Sequence, residues 1–287
     1  MEVVLAPLQL LPATIAGILY ALRVHALRGT PRAVPAARQW SFYGGLTLIV
    51  ATLTLIGSLS EELFAAHMAE HLLIADLGSL LLVLGLTGPV LAPLLRRRAI
   101  DRLRVLAHPL VAFPLWAIDL YAWHAPALHE AAVRDPWIHA LQHALFILFG
   151  ANMWMALLGP LPKPAWFGNL ARLGYVIAVR LTGAVLGNVL VFGGAAFYDV
   201  YRAGERAHGL SAAGDQNAAG AIMMIEGSLL TIGLFAWLFL RSAREGEERQ
   251  ELLDLAQARG IELTETRAAR AVAAGRGAEL RRRIESG

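Results

Sequence analysis

Cysteine is absent from this 287-residue chain, and lysine occurs once, at Lys163. The first absence removes disulfides, thiolate metal sites and Cys-x-x-Cys redox motifs, so any soft-metal chemistry must rest on His and Met. The second leaves no intramembrane amine for a Schiff base, which argues against a retinal-type photoreceptor. Charge is also scarce: 16% of residues are charged against 57% hydrophobic, and the mean hydropathy is +0.54. Such a composition is too apolar for a soluble protein of this length and reads as an all-α polytopic membrane protein embedded in a lipid bilayer. The formal charge of +3 would suit nucleic acid, but the basic residues sit in short loops between apolar runs, where they report topology instead.

A membrane-crossing helix needs about 20 apolar residues. Seven stretches meet or approach that length, near 5–24, 40–59, 67–94, 108–124, 139–158, 173–197 and 216–240. The start Met1-Glu2-Val3 has no basic leader, so the first stretch reads as a retained helix. Gly85, Gly88 and Pro89 predict a kink or stop late in the third. Arg28, Arg32 and Arg38, then the Arg96–Arg104 cluster, then Lys163 and Arg172 occupy alternate loops, which the positive-inside rule assigns to the cytoplasm. The remaining loops hold mainly Glu61, Glu62, Glu130, Asp135, Asp199, Glu205 and Asp215 and face out. Seven transmembrane helices with an outside N-terminus and an inside C-terminus result, spanning residues 1–240. From Arg241 the composition shifts to Arg, Glu, Ala and Gln, so 241–287 reads as a charged cytoplasmic helical tail, with one helix over 247–258, a C-cap at Gly260 and a second helix over about 264–284.

Two histidine pairs, His67-Met68-Ala69-Glu70-His71 and His139-Ala140-Leu141-Gln142-His143, carry the chemical signal. Positions i and i+4 lie on one helix face, so each pair can offer two imidazoles to one cation. Nine histidines placed at random would give roughly 0.3 such pairs. Under the assigned topology both pairs open helices at the outer surface, and His124 ends the fourth helix at the same surface. Imidazole sites without thiolate suit copper, zinc, iron or nickel, and a thioether at Met68 would favour copper(I), although Met68 is rotated about 100° per residue from the His67/His71 face. His129, placed in the outer loop, and Asp215 are weaker candidates, His129 reading more readily as a solvated loop histidine. His25, His108 and His208 lie apart. Asp76, Arg180 and Glu226 fall inside spans, at roughly 13, 18 and 16 Å of helix rise from the outer surface, so Arg180 is expected to pair with Glu226, or alternatively with Asp76.

These residues resemble a family, the CtaG-type cytochrome c oxidase assembly factors of bacterial membranes. The matching elements are His67-Met68-x-x-His71 with its Leu-rich run and Gly88-Pro89, Trp123-His124-x-Pro126-x-Leu128, Asp135-Pro136-Trp137-x-His139-x-x-x-His143, and Asp215-Gln216-x-x-x-Gly220. The resemblance covers residues 40–240 and is carried by the ordered set, not by any one element. It implies a seven-span protein of the bacterial plasma membrane that is not an enzyme. It also implies a copper or assembly role for His67, His71, His124, His139 and His143 on the extracytoplasmic side, and partners among terminal oxidase subunits or copper donors. Two alternatives stay open: a b-type haem protein with bis-imidazole ligation, and a His-liganded metalloenzyme.

Overall fold

The computed structural model describes residues 2–273 and 275–286, with side chains from residue 10 onward except at position 99. The described residues are mostly helical and contain no strand. The principal helices are α1 (Glu2–Leu27), α2 (Ala36–Leu55), α3 (Phe64–Gly85), α4 (Pro109–Trp123), α5 (Pro126–Arg134), α6 (Pro136–Leu157), α7 (Asn169–Phe192), α8 (Ala212–Ala258), α9 (Glu265–Ala273) and α10 (Gly277–Glu285). Within α3 the stretch Leu72–Gly78 is wound as a π-helix.

Every one of the seven apolar stretches is helical, and five helices (α1, α3, α6, α7 and α8) are long and apolar enough to cross a membrane. The count reaches six if Ile100–Ala107 and α4, bent by 78° at His108, form one span. α2 reaches 20 residues but is not among them. Many large apolar side chains face outward, including Leu19 and Leu22 on α1, Leu181 and Phe192 on α7 and Leu229 and Phe239 on α8. Apolar surface on this scale suits hydrocarbon as its solvent.

Helix ends follow local chemistry. Pro109, Pro126 and Pro136 occupy the first turns of α4, α5 and α6, where a missing N–H costs nothing. Asp135 caps α6 by accepting from Trp137 N at 2.8 Å and Ile138 N at 3.2 Å. α3 stops at Gly85; Leu86 is extended, and a short helix restarts at Gly88, as the Gly/Pro pattern predicts. Arg38 donates to Leu84 O at 2.7 Å, bringing a cation to the negative end of α3.

Two compact units divide the chain. The first comprises the residues up to Phe167 and Ile177–Leu229; the second comprises Gly168–Val176 and residues from Leu230 onward. In the first unit α3 is central because glycines admit close backbone approach. A Cβ at Gly45 would stand 2.8 Å from Gly78 O, and one at Gly150 would collide with Ala75 O. Tyr20 stacks on Phe42 at 3.8 Å between ring centroids, and its hydroxyl donates to Gly85 O at 2.9 Å. In the second unit Leu252 and Ala256 pack on Val272, Leu280 and Ile284. The tail departs from expectation at one point: 264–284 is two helices, not one. The Gly275-Arg276-Gly277 sequence breaks the run, with Gly275 at φ +67°, a conformation that favours glycine.

The intramembrane charges are arranged differently from the expected Arg180–Glu226 ion pair, which is not formed. Arg180 instead donates from Nη2 to Met224 O at 3.1 Å and Ser228 Oγ at 2.9 Å, gripping α8 one residue pair either side of Glu226. Glu226 Oε1 has no hydrogen-bond partner, and both Asp76 on α3 and Arg180 act on it electrostatically, so the expected partner is near Glu226 without a direct ion pair.

Candidate metal centre

The first turn of α3 is fixed from a distance. Leu63 at its N-cap offers no side-chain acceptor, and the carboxylate of Asp215, in the first turn of α8, accepts from Phe64 N at 2.7 Å and Ala65 N at 3.0 Å. The neighbouring Gln216 accepts from Phe197 N at 2.8 Å and donates to Leu190 O and Ala195 O. Together the Asp215-Gln216 pair ties α3 and the 193–198 turn to α8. Asp215, a weaker ligand candidate in the sequence, is placed here as a positioning contact: each of its oxygens accepts from one backbone N–H of α3, and it belongs to neither metal-capable triad.

On that turn His67 and His71 lie one above the other, with ring centroids 4.2 Å apart. On α6 His139 and His143 repeat the arrangement, also at 4.2 Å. The pairs face each other: His67 stacks on His139 at 5.1 Å and His71 meets His143 edge-on at 5.3 Å. His67, His71 and His143 are buried, and His139 is partly buried. Ligand-capable atoms of His67, His71 and His139 fall within 4.8 Å of one another, as do those of Glu70, His139 and His143. His139 belongs to both triads, so the cluster offers two adjoining positions for a cation.

His124 and His129 lie beside the two pairs and outside both triads, His124 as the C-cap of α4. Its Nδ1 lies 2.7 Å from Leu120 O and its Nε2 lies 3.3 Å from Met68 Sδ, while Tyr198 donates to its carbonyl at 2.8 Å. His129 departs from expectation. It is fully buried within helix α5, not solvated in a loop, with its ring 4.8 Å from that of His67 and Nε2 2.8 Å from the Tyr201 hydroxyl. Burial, then the neighbouring His124, lowers its pKa to about 3, so it is a neutral ring at physiological pH. Burial likewise holds the Tyr201 phenol well above its ordinary value.

The unsatisfied atoms are the strongest physical signal. His67 Nε2, both nitrogens of His71, His139 Nε2, both nitrogens of His143 and Glu70 Oε2 are buried without hydrogen-bond partners. Each such group costs about 1–3 kcal/mol when left unmade, and a native fold concentrates them where something else satisfies them. Nitrogen lone pairs with one carboxylate form a donor set that fits a transition-metal ion. His67 is already oriented for this, because Nδ1 lies 3.2 Å from Ser60 O, an acceptor, which leaves Nε2 free as a ligand.

Glu70, which the sequence offers with Asp76 and Asp215 as a carboxylate able to offset a cation beside helix N-termini, is outside the expected ligand set. It is buried at 1% exposure with Oε2 3.8 Å from His143 Nε2. Its signal was its place beside His71 and one helical turn from His67. Of the set-aside histidines, His208 pairs with Glu62 at 2.7 Å, and His108 caps α4 by accepting from Leu110 N at 3.3 Å.

Among curated relatives, an uncharacterised protein of Mycobacterium leprae (strain TN) is 27% identical over 256 residues, covering 81% of this chain and 38% of that protein. Uncharacterised proteins of Mycobacterium bovis and Mycobacterium tuberculosis are each 27% identical over 194 residues, covering 60% of this chain and 29% of theirs. The chain thus spans less than two fifths of the length of the curated relatives it matches. No solved structure is a significant match. The family model for the cytochrome c oxidase caa3 assembly factor (Caa3_CtaG) matches residues 18–245, a range that holds all six clustered histidines, Glu70 and the Asp215-Gln216 tie, and by that match the chain belongs to the cytochrome c oxidase caa3 assembly factor family.

Proposed function

We propose that this protein is a non-enzymatic assembly factor that holds copper at the extracytoplasmic face of the bacterial plasma membrane and passes it to a haem–copper oxidase during maturation. The observation that carries the reading is the set of unpartnered imidazole nitrogens on α3 and α6, inside a family of oxidase assembly factors. The oxidase subunits, or the donors that load this protein, are its partners. The seven-span topology with N-terminus outside belongs to the same proposal, resting on the distribution of Arg and Lys among the loops.

Copper is cargo in this reading. His67, His71, His139 and His143 present lone pairs, Glu70 supplies the negative charge that offsets a cation beside helix N-termini, and Asp215 keeps the His67/His71 turn in place. His139, shared by the two triads, is the ring that would link the two positions. A b-type haem suits this geometry poorly, since rings 4.2–5.3 Å apart leave no slot for a macrocycle between two axial imidazoles. A His-liganded metalloenzyme is the second reading, and Glu70 is the observation in its favour, because a carboxylate beside imidazoles also serves oxygen-activating metals.

Metal analysis of protein purified from membranes tests the proposal. Copper is expected, and the double variant His71→Ala with His143→Ala is expected to lose most of it. In cells, removal of the protein under copper limitation is expected to lower oxidase activity in newly made membranes and to spare oxidase already assembled. Iron or zinc in place of copper, or oxygen-dependent turnover by the purified protein, would favour the metalloenzyme reading.

A further inference from the structure

We propose that Met68 Sδ and His124 Nε2 form a separate binding position for a soft monovalent metal ion, copper(I), beside the imidazole–carboxylate cluster and not part of it. The proposal rests on the copper reading above and deepens it by assigning an oxidation state and a second position.

One short contact orients the His124 ring. His124 Nδ1 is 2.7 Å from Leu120 O, and a carbonyl oxygen only accepts, so the ring hydrogen sits on Nδ1. The neutral ring then directs its remaining lone pair, on Nε2, at the thioether of Met68, 3.3 Å away. A thioether carries lone pairs of its own and no hydrogen. Two lone-pair donors that converge in a site where Met68 is 2% and His124 8% exposed cannot hydrogen-bond to each other, and the buried Nε2 gains its missing partner if a cation binds both. A proton is a poor occupant, because methionine sulfur is a weak acceptor. A soft metal ion binds both donors well. At metal–ligand lengths of about 2.0 Å to imidazole and about 2.3 Å to sulfur, a 3.3 Å separation corresponds to an angle of roughly 100° at the metal.

The position is held from outside and separated from the cluster. Tyr198 fixes the His124 backbone by donating to its carbonyl at 2.8 Å, and Leu120 O fixes the ring. His124 and Met68 belong to neither ligand triad. His129 stands between, its ring 6.4 Å from His124 and 4.8 Å from His67. The three elements form a graded path from a sulfur-bearing position, past one buried neutral imidazole, to the nitrogen and oxygen donors of the cluster.

The test uses silver(I), a redox-silent probe for copper(I), on the full chain in detergent. The chain has six methionines and no cysteine, so any sulfur neighbour of bound silver must be a methionine. Silver absorption-edge spectra are expected to show a sulfur neighbour in the wild-type protein. Met68→Leu, close to isosteric, is expected to abolish that neighbour and lower silver stoichiometry by about one per chain, with zinc(II) binding held within twofold. His124→Gln, which retains a donor able to reach Leu120 O, is the second variant should Met68→Leu not fold, and is expected to remove the same neighbour. The double change His71→Ala with His143→Ala should do the reverse, losing zinc while keeping the silver–sulfur signal. A wild-type spectrum without sulfur, or a sulfur neighbour that persists in either single variant, would overturn the proposal. Undiminished metal in the double histidine variant would instead count against the cluster.

Discussion

Glu70 and Asp215 are two carboxylates at the same histidine-bearing part of α3, one on it and one capping it, and their surroundings differ. Glu70 leaves Oε2 without a hydrogen-bond partner and lies beside His143, where in the proposed function its charge would add affinity for a cation. Asp215 accepts from two N–H groups at the mouth of α3 and fixes the position of that turn. Hydrogen bonds to a charged acceptor are worth about 1.5–3 kcal/mol each, and loss of a helix cap about 0.5–2 kcal/mol. Asp215→Ala is therefore expected to destabilise the protein by about 2 kcal/mol, seen as a lower midpoint in detergent thermal melts, and to weaken metal binding through misplacement of His67 and His71. Asp215→Asn keeps one acceptor oxygen and is expected to fall between the two. An Asp215→Ala variant with unchanged stability would show that the α3 turn is held by other means.

At the scale of elements, the approach of α6 to α3 is set by Gly150 over Ala75 O, reinforced by Trp154 Nε1 donating to Asp76 O at 3.1 Å. Side chains larger than hydrogen at 150 must push the helices apart, and with them the two histidine pairs. Gly150→Leu is expected to cost about 1–3 kcal/mol and to lower metal affinity without touching any ligand, read by thermal melts and metal titration of the same preparation. Much of this architecture was legible in the sequence. Helices occur at all seven apolar stretches because long apolar runs have few alternatives, and the His67/His71 and His139/His143 faces followed from i,i+4 spacing. What escaped was whatever depended on long-range placement. The α5 segment reads as a polar loop by composition, whereas His129 and Ala132, three apart on one face, are its buried stripe. The Asp215 cap links positions 150 and 151 residues apart, and no local pattern announces it. Arg180 and Glu226 matched in depth, but depth does not fix rotation about a helix axis, and Arg180 found oxygens on α8 at Met224 and Ser228 instead.

For the molecule as a whole, the proposed function requires the cluster to face the outer compartment. The chain's lack of cysteine makes this directly measurable, since every introduced thiol reports alone. Cysteines at Glu62 and Ala131 are expected to react with an impermeant thiol reagent added to intact cells, and one at Arg98 only after lysis. The reverse pattern would place the histidines in the cytoplasm and exclude delivery at the outer face. The exposed apolar side chains of α1, α7 and α8 match the same expectation of a lipid-solvated surface.

The π-helical stretch Leu72–Gly78 lies between the histidine turn of α3 and its glycine-lined lower half. A π turn takes one residue more than an α turn, so the two ends of α3 are rotated against each other by roughly the 100° that one residue represents. The consequence is one of portability. A regular α-helix bearing the sequence 64–85 cannot aim His67 and His71 at one neighbour while resting Gly78 and Gly85 on another as α3 does here. Transplanting the ligand motif onto an ideal helical scaffold would therefore keep its spelling and lose its geometry, unless the extra residue travels with it.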